Sequence, residues 1–378
     1  MSGFFNGKTI SRRSAVQLLS AGALSEAPFM SRLRAADLIE SSVEWARKAL
    51  PHSTPDIVRG AAKEGRLNLT LYNLGGGEEA VSGTIAGFRK RYPFIAVNFS
   101  RQDTIQLVSK FNAEVNSRRG ISDYVNLPSN MLTSTAFIRQ GAIAQFVVSE
   151  DAAYPPGGKH AGYWYAWRFE KASTVYRIGA LSPEEVKLVR TYQGLADARF
   201  KGRLGTTAVN NSVCATAAYM LMYGPNPQLW AGLARNKPFV VKSSSQALVS
   251  SVLAGECDIG VLCGSSSPLI AAKSGAPIAF GSTSPSATLY TPGAISALAP
   301  NPHAARLWQD WFTSAEGQHL WVSLTGNQSV RSGVGQTGWA EKQPWFFDDH
   351  RSHQLDWEAF SNKQKEVMTK FAHDIQGA

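Results

Sequence analysis

The chain has 378 residues, which is too long for one ordinary hydrophobic core and predicts two globular lobes. Apolar residues make up 44% of it and charged residues 17%, a composition that excludes an intrinsically disordered protein. The sequence holds no apolar run of about 18 residues, so it predicts no ordinary membrane-spanning helix. The net charge is +10, but the basic residues are scattered and not interleaved with aromatic ones, so we expect no nucleic-acid partner.

The first 27 residues have the order of an export signal. Arg12 and Arg13 precede a weakly apolar run over residues 15–24, and small residues follow at 25–27. Paired arginines are typical of the twin-arginine route, although the bulky pair that usually follows them is only partly kept. We predict a signal over 1–27 and a periplasmic protein whose net charge, once the signal is removed, is +8. The alternative is a basic helix that stays attached.

The residues that follow predict alternating strands and helices. Residues 28–60 form a leader with helical character, and apolar and polar residues then alternate over 67–72 and over 95–99, as in strands. Between these strands, apolar residues with helical spacing run over 81–92. A strand, a helix and a second strand make a βαβ unit, which requires a parallel sheet.

The same alternation continues to about residue 310. We predict helices over 105–114, 137–146 and 211–222, one capped at 243–245 and one beginning near 303, and strands at 123–125, 206–207 and 258–262. A stretch rich in Pro and Gly, 151–162, separates the first unit from two aromatic, β-prone stretches at 163–167 and 175–177. A second α/β unit therefore follows the first.

Five stretches of the chain share a family pattern. They are Glu64–Arg66 with Glu78–Glu79, FRKRYPFIAV (88–97), LADARFKGRLG (195–205), VLAGECDIG (252–260), and APNPHAARL with SAEGQ (299–307 and 314–318). In this order they resemble the type II periplasmic solute-binding proteins of ABC importers, in the branch that includes ferric-iron-binding proteins. The resemblance implies an α/β fold of two lobes, each a mostly parallel sheet flanked by helices, with the ligand in the cleft between the lobes. It also implies a monomer that passes a small-molecule ligand to the membrane permease subunits of an ABC importer.

The resemblance and the composition together predict how the chain is divided. We expect an export signal at 1–27, a leader at 28–60, the first lobe at 61–165, the second lobe at 166–280, a return to the first lobe at 281–335 and a C-terminal helical segment at 336–378. The chain should cross between the lobes near 163–178 and 276–298. Lobes joined by such crossings are expected to close like a hinge around the ligand.

The candidate ligand-binding residues lie in turns that follow strands, because open parallel sheets bind ligands beyond the carboxyl ends of their strands. They are Asn73, Gly75, Gly76, Gly77 and Glu78 in the first lobe, and Asn211, Ser212, Ser244, Ser245, Ser265 and Ser266 in the second. Glycines let backbone amides approach a ligand, and the helix N-termini that follow favour an anionic or polar one. The alternative is that the glycines only permit a tight turn and the other residues only cap helices.

Iron binding is a separate alternative. The family's iron binders carry paired tyrosines after the strand that ends here at Leu262, whereas this chain continues with Cys263–Ser267. Tyrosinates bind a hard trivalent ion and serine hydroxyls at neutral pH do not, so the sequence predicts no metal at this position. A ferric-iron or other metal binder of the same family remains the alternative. His350 and His353 lie in a charged tail, which we interpret as solvated.

An exported enzyme on the same fold is the third possibility. Catalysis requires a base, a nucleophile and an orienting group near the cleft, and all seven histidines lie outside the candidate loops. We therefore expect neither catalysis nor a cofactor. Cys214, Cys257 and Cys263 fit no zinc spacing and are predicted to be buried thiols.

The export prediction is tested by replacing Arg12 and Arg13 with lysine, since the twin-arginine route requires the guanidinium pair. Cell fractionation should show that the precursor accumulates in the cytoplasm and that the mature form no longer appears in the periplasm. Mature protein that still accumulates outside would show that another route exports the chain.

Overall fold

The computed structural model describes residues 34–71, 77–102, 104–126, 136–334, 339–348, 352–353 and 355–377. The predicted export signal lies outside these residues, as do Asn73, Gly75 and Gly76 of the predicted ligand site.

The described residues contain a mixed sheet of eleven strands. The strands are β1 (Arg66–Leu71), β2 (Ala96–Arg101), β3 (Tyr124–Asn126), β4 (Lys159–His160), β5 (Trp164–Arg177), β6 (Leu204–Thr207), β7 (Phe239–Val241), β8 (Ile259–Gly264), β9 (Ile278–Ser282), β10 (Ser286–Ile295) and β11 (Ser352–His353). Their order is β2-β1-β3-β10-β5-β8-β6-β7, with β4 and β9 paired to β5 and β11 paired to β10.

Helices cover both faces of this sheet. They are α1 (34–49), α2 (Pro55–Glu64), α3 (Gly77–Arg91), α4 (Thr104–Ser117), α5 (Ala136–Arg139), α6 (Pro183–Leu188), α7 (Tyr192–Leu195), α8 (Ser212–Tyr223), α9 (Gln228–Arg235), α10 (Ser245–Ala254), α11 (Ser266–Lys273), α12 (Pro302–Thr313), α13 (Ala315–Thr325) and α14 (Trp357–Phe371). No helix of the described residues has the length and apolar character needed to cross a membrane.

Two parallel units make the two lobes, as the sequence predicts. β1 pairs in parallel with β2 and β3 in the first lobe, and β6 pairs in parallel with β7 and β8 in the second. The first lobe packs Phe88 of α3 and Trp308 of α12 on one face of its sheet, and Phe111 of α4 on the other. The second lobe packs α8 and α9 on one face and α10 and α11 on the other. The predicted two-lobed α/β fold is confirmed.

The antiparallel pair β5 and β10 runs from one lobe to the other. Its register joins Lys171 to Thr288 and Tyr165 to Gly293, with an irregularity between Thr291 and Pro292. Trp167 of β5 belongs to the first lobe's core, and Tyr176 of the same strand belongs to the second lobe's core. Residues 164–167 and 175–177 of the two predicted aromatic stretches are therefore parts of one long strand.

The helix predicted over 137–146 is wrong, because only Ala136–Arg139 is helical. Gly141 has a φ of +67°, a left-handed conformation that ends the helix. Ile143 then forms a bridge with Ser296, and the Ala144 N–H donates to the carbonyl of Ile295. The apolar residues here are buried as extended chain beside β10, an outcome that helical spacing alone does not reveal.

The family stretches tie distant elements together. The carboxylate of Glu64 accepts from the backbone N–H groups of His303 and Ala304, at 3.1 and 2.8 Å, and so caps the N-terminus of α12. A bidentate pair joins Arg91 at the end of α3 to Glu316 of α13, at 2.8 Å. In the second lobe Arg203 bonds Asp258 at 2.6 Å. Each bond joins two of the five stretches.

Gly293 of β10 has no room for a side chain. A Cβ there would lie 2.2 Å from both Nε1 of Trp167 and the Tyr124 hydroxyl, which are bonded to one another at 3.0 Å. We therefore expect Gly293→Ala to lower the free energy of unfolding by about 1–3 kcal/mol, measured by urea denaturation.

Gly179 supplies the control, because it has a φ of +84° and open space around it. Gly179→Ala should cost about 1–2 kcal/mol, from backbone strain alone. An equal loss in the two variants would show that β10 yields to accommodate a methyl group.

Candidate functional site

Two opposite charges lie buried in the middle of β5, between the parts of the strand that enter the two cores. Arg168 is 1% exposed and Glu170 is 8% exposed. Because side chains alternate along a strand, the two share one face. Arg168 lies opposite Thr291 of β10 in the register.

The guanidinium of Arg168 is poorly satisfied. Its Nη2 donates to Oε2 of Glu170 over a long 3.4 Å, while Nε and Nη1 are buried and have no hydrogen-bond partner among the residues that the structure describes. A buried charge is stable only when it is paired and hydrogen-bonded. The unused donors of Arg168 therefore mark a place that favours an anion.

Glu170 joins β5 to the start of α11 in the second lobe. Its Oε1 accepts from the Ser266 N–H at 3.3 Å and from the Ser266 hydroxyl. The same oxygen would lie 2.7 Å from a Cβ at Gly264, the last residue of β8. A side chain at position 264 would displace the carboxylate, so glycine at the end of β8 leaves room for Glu170 in this position.

The starts of two other helices reach the same cluster. The Ser245 hydroxyl, at the first turn of α10, accepts from the Gly264 N–H at 3.0 Å and from Nδ2 of Asn211 at 3.4 Å. Oδ1 of Asn211 caps α8 by accepting from the N–H groups of Val213 and Cys214. The N-termini of α8, α10 and α11 thus converge near Glu170, where their positive dipole ends add to the attraction for an anion.

Other predicted residues of the second lobe have structural bonds. The Ser244 hydroxyl caps α10 by accepting from the Ala247 N–H at 3.3 Å. Ser265 continues the pairing with β5, since its N–H donates to the carbonyl of Lys171 and its hydroxyl accepts from the Lys171 N–H. Ser212 is the first residue of α8. Their part in ligand binding stays a prediction.

In the first lobe the described part of the predicted loop consists of Gly77 and Glu78. Gly77 begins α3 with a φ of +82°, and no atom of a described residue lies within 4 Å of a Cβ placed there. The exposed Glu78 carboxylate lies 4.0 Å from the Arg101 guanidinium at the end of β2. Both residues stay predicted ligand contacts from the lobe opposite Asn211, Ser245 and Ser266.

Sequence reasoning missed Arg168 and Glu170. It treated residues 163–178 as a crossing between lobes and did not weigh the charges within it. The available signal was a run of charged residues, 168 and 170–171, inside an otherwise aromatic and β-prone stretch. Charged residues are seldom buried without a partner, so such a run indicates a site.

A pocket lies beside β5 on the face that carries Phe169 and Lys171. Ser265, Ser282 and Asn327 contribute to its lining. Lys171 Nζ donates to both carboxylate oxygens of Asp348 there, at 2.7 and 2.9 Å, and both side chains are largely buried. The C-terminal segment is thereby tied to the crossing strand.

The three cysteines are free and buried, as the sequence predicts. Burial raises the pKa of both the Cys214 and the Cys257 thiols to about 11, and raises the pKa of Cys263 further. All three thiols are therefore protonated at neutral pH and do not supply a thiolate ligand or nucleophile. Among the described residues, no three His, Cys, Asp or Glu side chains are grouped to hold a metal ion.

Comparison with known protein families identifies the chain. Residues 84–323 match the family model for bacterial extracellular solute-binding proteins. The match spans more than half of the sequence, and the chain therefore belongs to that family. A comparison with curated proteins gave no match.

The fold is also that of solved type II periplasmic binding proteins. FutA (IdiA) of Trichodesmium, in complex with iron and citrate, has a TM-score of 0.64 at 17% identity, over 82% of this chain and 99% of that one. Iron-bound HitA of Pseudomonas aeruginosa has a TM-score of 0.65 at 16% identity, over 81% and 98%. AfuA of Actinobacillus pleuropneumoniae, with fructose-6-phosphate bound, has a TM-score of 0.60 at 16% identity, over 83% and 99%.

The Arg168–Glu170 pair predicts a non-additive effect on stability. Glu170→Met leaves a buried guanidinium with no carboxylate partner, so the apo protein should lose about 3 kcal/mol of unfolding free energy. Adding Arg168→Met should recover most of that loss, because a buried pair replaced by apolar side chains is often neutral. Urea denaturation of both single variants and the double variant measures the coupling.

Arg91 and Glu316 provide the control pair, since each side chain is 39% exposed. The same substitutions there should couple by about 1 kcal/mol or less. Simple additivity at positions 168 and 170 would contradict the pairing described above.

Proposed function

We propose that the protein binds a small anionic ligand between its lobes, with Arg168 as the central anion-binding group. The family assignment makes the chain an extracellular solute-binding protein, a class that captures a solute and delivers it to an ABC transporter. The proposal also covers the anionic charge of the ligand and the residues that bind it. It includes a periplasmic location reached by a cleaved twin-arginine signal, a monomeric state and the absence of catalysis.

The observation that carries the proposal is the buried guanidinium of Arg168, two of whose nitrogens have no partner in the described residues. It lies in the strand that connects the lobes, beside three helix N-termini of the second lobe. An anion bound there would satisfy a charge that the protein leaves almost unpaired. Each charge-assisted hydrogen bond of this kind contributes about 1.5–3 kcal/mol, which is roughly tenfold or more in affinity.

The arrangement of β5 and β10 also supports hinge closure. We place the hinge in these two strands, within the predicted crossings near 163–178 and 276–298, and keep the predicted lobe boundaries as part of the proposal. In two-lobed proteins, a few residues at the ends of such elements absorb the rotation. Gly75, Gly76 and Gly77 would then approach the ligand from one lobe, and Asn211, Ser245 and Ser265 from the other.

Ferric iron is the competing ligand, because several structural neighbours are iron-bound or ferric-binding proteins. At the end of β8 this chain offers Ser265 and Ser266, and the Ser266 hydroxyl is already bonded to Glu170. Neutral hydroxyls are poor ligands for a hard trivalent ion. We therefore expect no tyrosinate charge-transfer band and no tight stoichiometric binding when ferric citrate is added to the apo protein. A strong visible band would establish the iron alternative instead.

The proposed site is tested on a ligand identified by native mass spectrometry of protein purified from its own host. Calorimetry should show that Arg168→Met weakens binding by tenfold or more, because the main anion-binding charge is lost. Gly76→Val and Ser265→Ala should each weaken it roughly tenfold, as contacts from opposite lobes. Small-angle scattering should show a smaller radius of gyration with ligand.

Arg199→Met is the control, since Arg199 is a half-exposed guanidinium paired with Asp197 on the surface. It removes the same charge and should leave the affinity unchanged. Unchanged affinity in the Arg168 variant would contradict the proposed anion site. An unchanged radius of gyration would contradict hinge closure. Recovery of a chemically altered ligand after incubation would favour the enzyme alternative.

A further inference from the structure

We infer that the ligand carries a hydrogen-bond donor close to its anionic group, and that Glu170 selects for this donor. The inference rests on the anion site proposed at Arg168 and specifies its substrate class. That class contains amino acids, hydroxy acids, aminophosphonates and protonated oxyanions, whose shared chemistry is an anion with an adjacent N–H or O–H.

The charge of Glu170 affects which anions can bind at Arg168. Glu170 lies 3.4 Å from Arg168, so an anionic oxygen that reaches Nε or Nη1 also enters the field of a buried carboxylate. The guanidinium is a small rigid plane, and no binding position on it lies far from Glu170. A bare anion would gain one attraction and meet one repulsion in the same low-dielectric site.

The Glu170 carboxylate has acceptor capacity that the described hydrogen bonds leave unused. A carboxylate offers about four acceptor positions. Its Oε1 accepts two bonds from Ser266, whereas Oε2 accepts, within the described part of the chain, only the long bond from Arg168. A donor on the ligand would fill the remaining position on Oε2. A ligand without a donor leaves that oxygen buried and incompletely paired, which reduces affinity.

Neighbouring residues of the second lobe hold the Glu170 carboxylate in place. Ser266 donates twice to one carboxylate oxygen, and the absence of a side chain at Gly264 leaves room for it. The Ser245 hydroxyl accepts from Gly264 and Asn211, so its own hydrogen is available to an anionic oxygen. The site therefore presents donors from Arg168 and Ser245 beside one fixed acceptor on Glu170.

Matched pairs of probes test the inference without knowledge of the natural ligand. The pairs are 2-aminoethylphosphonate with ethylphosphonate, taurine with ethanesulfonate, and glycine or glycolate with acetate. In calorimetry and thermal-shift titrations at pH 7, the best-binding pair should show its donor-bearing member binding at least about tenfold tighter, because an unpaired buried acceptor penalises the other.

Glu170→Gln should abolish this preference, since the substitution keeps the shape but removes the charge and introduces a competing donor. Ser245→Ala should weaken both members of a pair and keep the preference. Glu184→Gln, on an exposed residue of α6, is the matched control and should change neither the affinity for the probes nor the preference between them. Should Glu170→Gln fail to fold, Ser266→Ala reports on the same carboxylate by removing the hydroxyl bond to Oε1, and the preference should fall.

The outcomes separate this inference from the proposed function. Equal affinity for both members of every pair that binds overturns the role of Glu170 and leaves the anion site at Arg168 standing. A preference that survives in Glu170→Gln has the same consequence. If no probe of any pair binds, the anion site itself is wrong and both conclusions fall together.

Discussion

The antiparallel pairing of β5 with β10 is the constraint on which the rest of the structure depends. These strands carry core residues of both lobes, such as Trp167 in the first and Tyr176 in the second. Between the two cores the strand passes through a short stretch that belongs fully to neither. Arg168 and Glu170 occupy that stretch and place two buried charges between the cores. In the proposed site these charges supply the chemistry for a ligand.

The residues that identify the family act at a distance from this stretch. Glu64 caps α12, Arg91 holds α13, and Arg203 binds Asp258 next to β8. In this chain these bonds fix how helices pack on each sheet. They fix the fold without contacting the candidate ligand site. The family pattern therefore predicts architecture well and ligand chemistry poorly, because fold and function rest on different residues.

The sequence predicted the parts of the structure that depend on local patterns. The first βαβ unit, the cap at Ser244 and the cap at Asn211 follow from residue spacing and side-chain chemistry over a few positions. The predicted helix over 137–146 failed because those apolar residues are buried against β10, far along the chain. Arg168 and Glu170 were missed for a related reason. The bond from Ser266 to Glu170 spans 96 positions, and no local pattern shows that β5 and β8 are neighbours.

The serines of the second lobe show how a cap and a binding site can share residues. Ser266 and Asn211 were predicted as ligand contacts, yet each already bonds within the protein, to Glu170 and to the first turn of α8. A polar group that is committed to holding another group contributes to affinity through that group's position. Changes to Ser266 would then act on the ligand through Glu170 and alter which ligand is preferred. Selectivity in this protein would thus reside in the crossing strand, while the helix N-termini supply attraction that any anion would share.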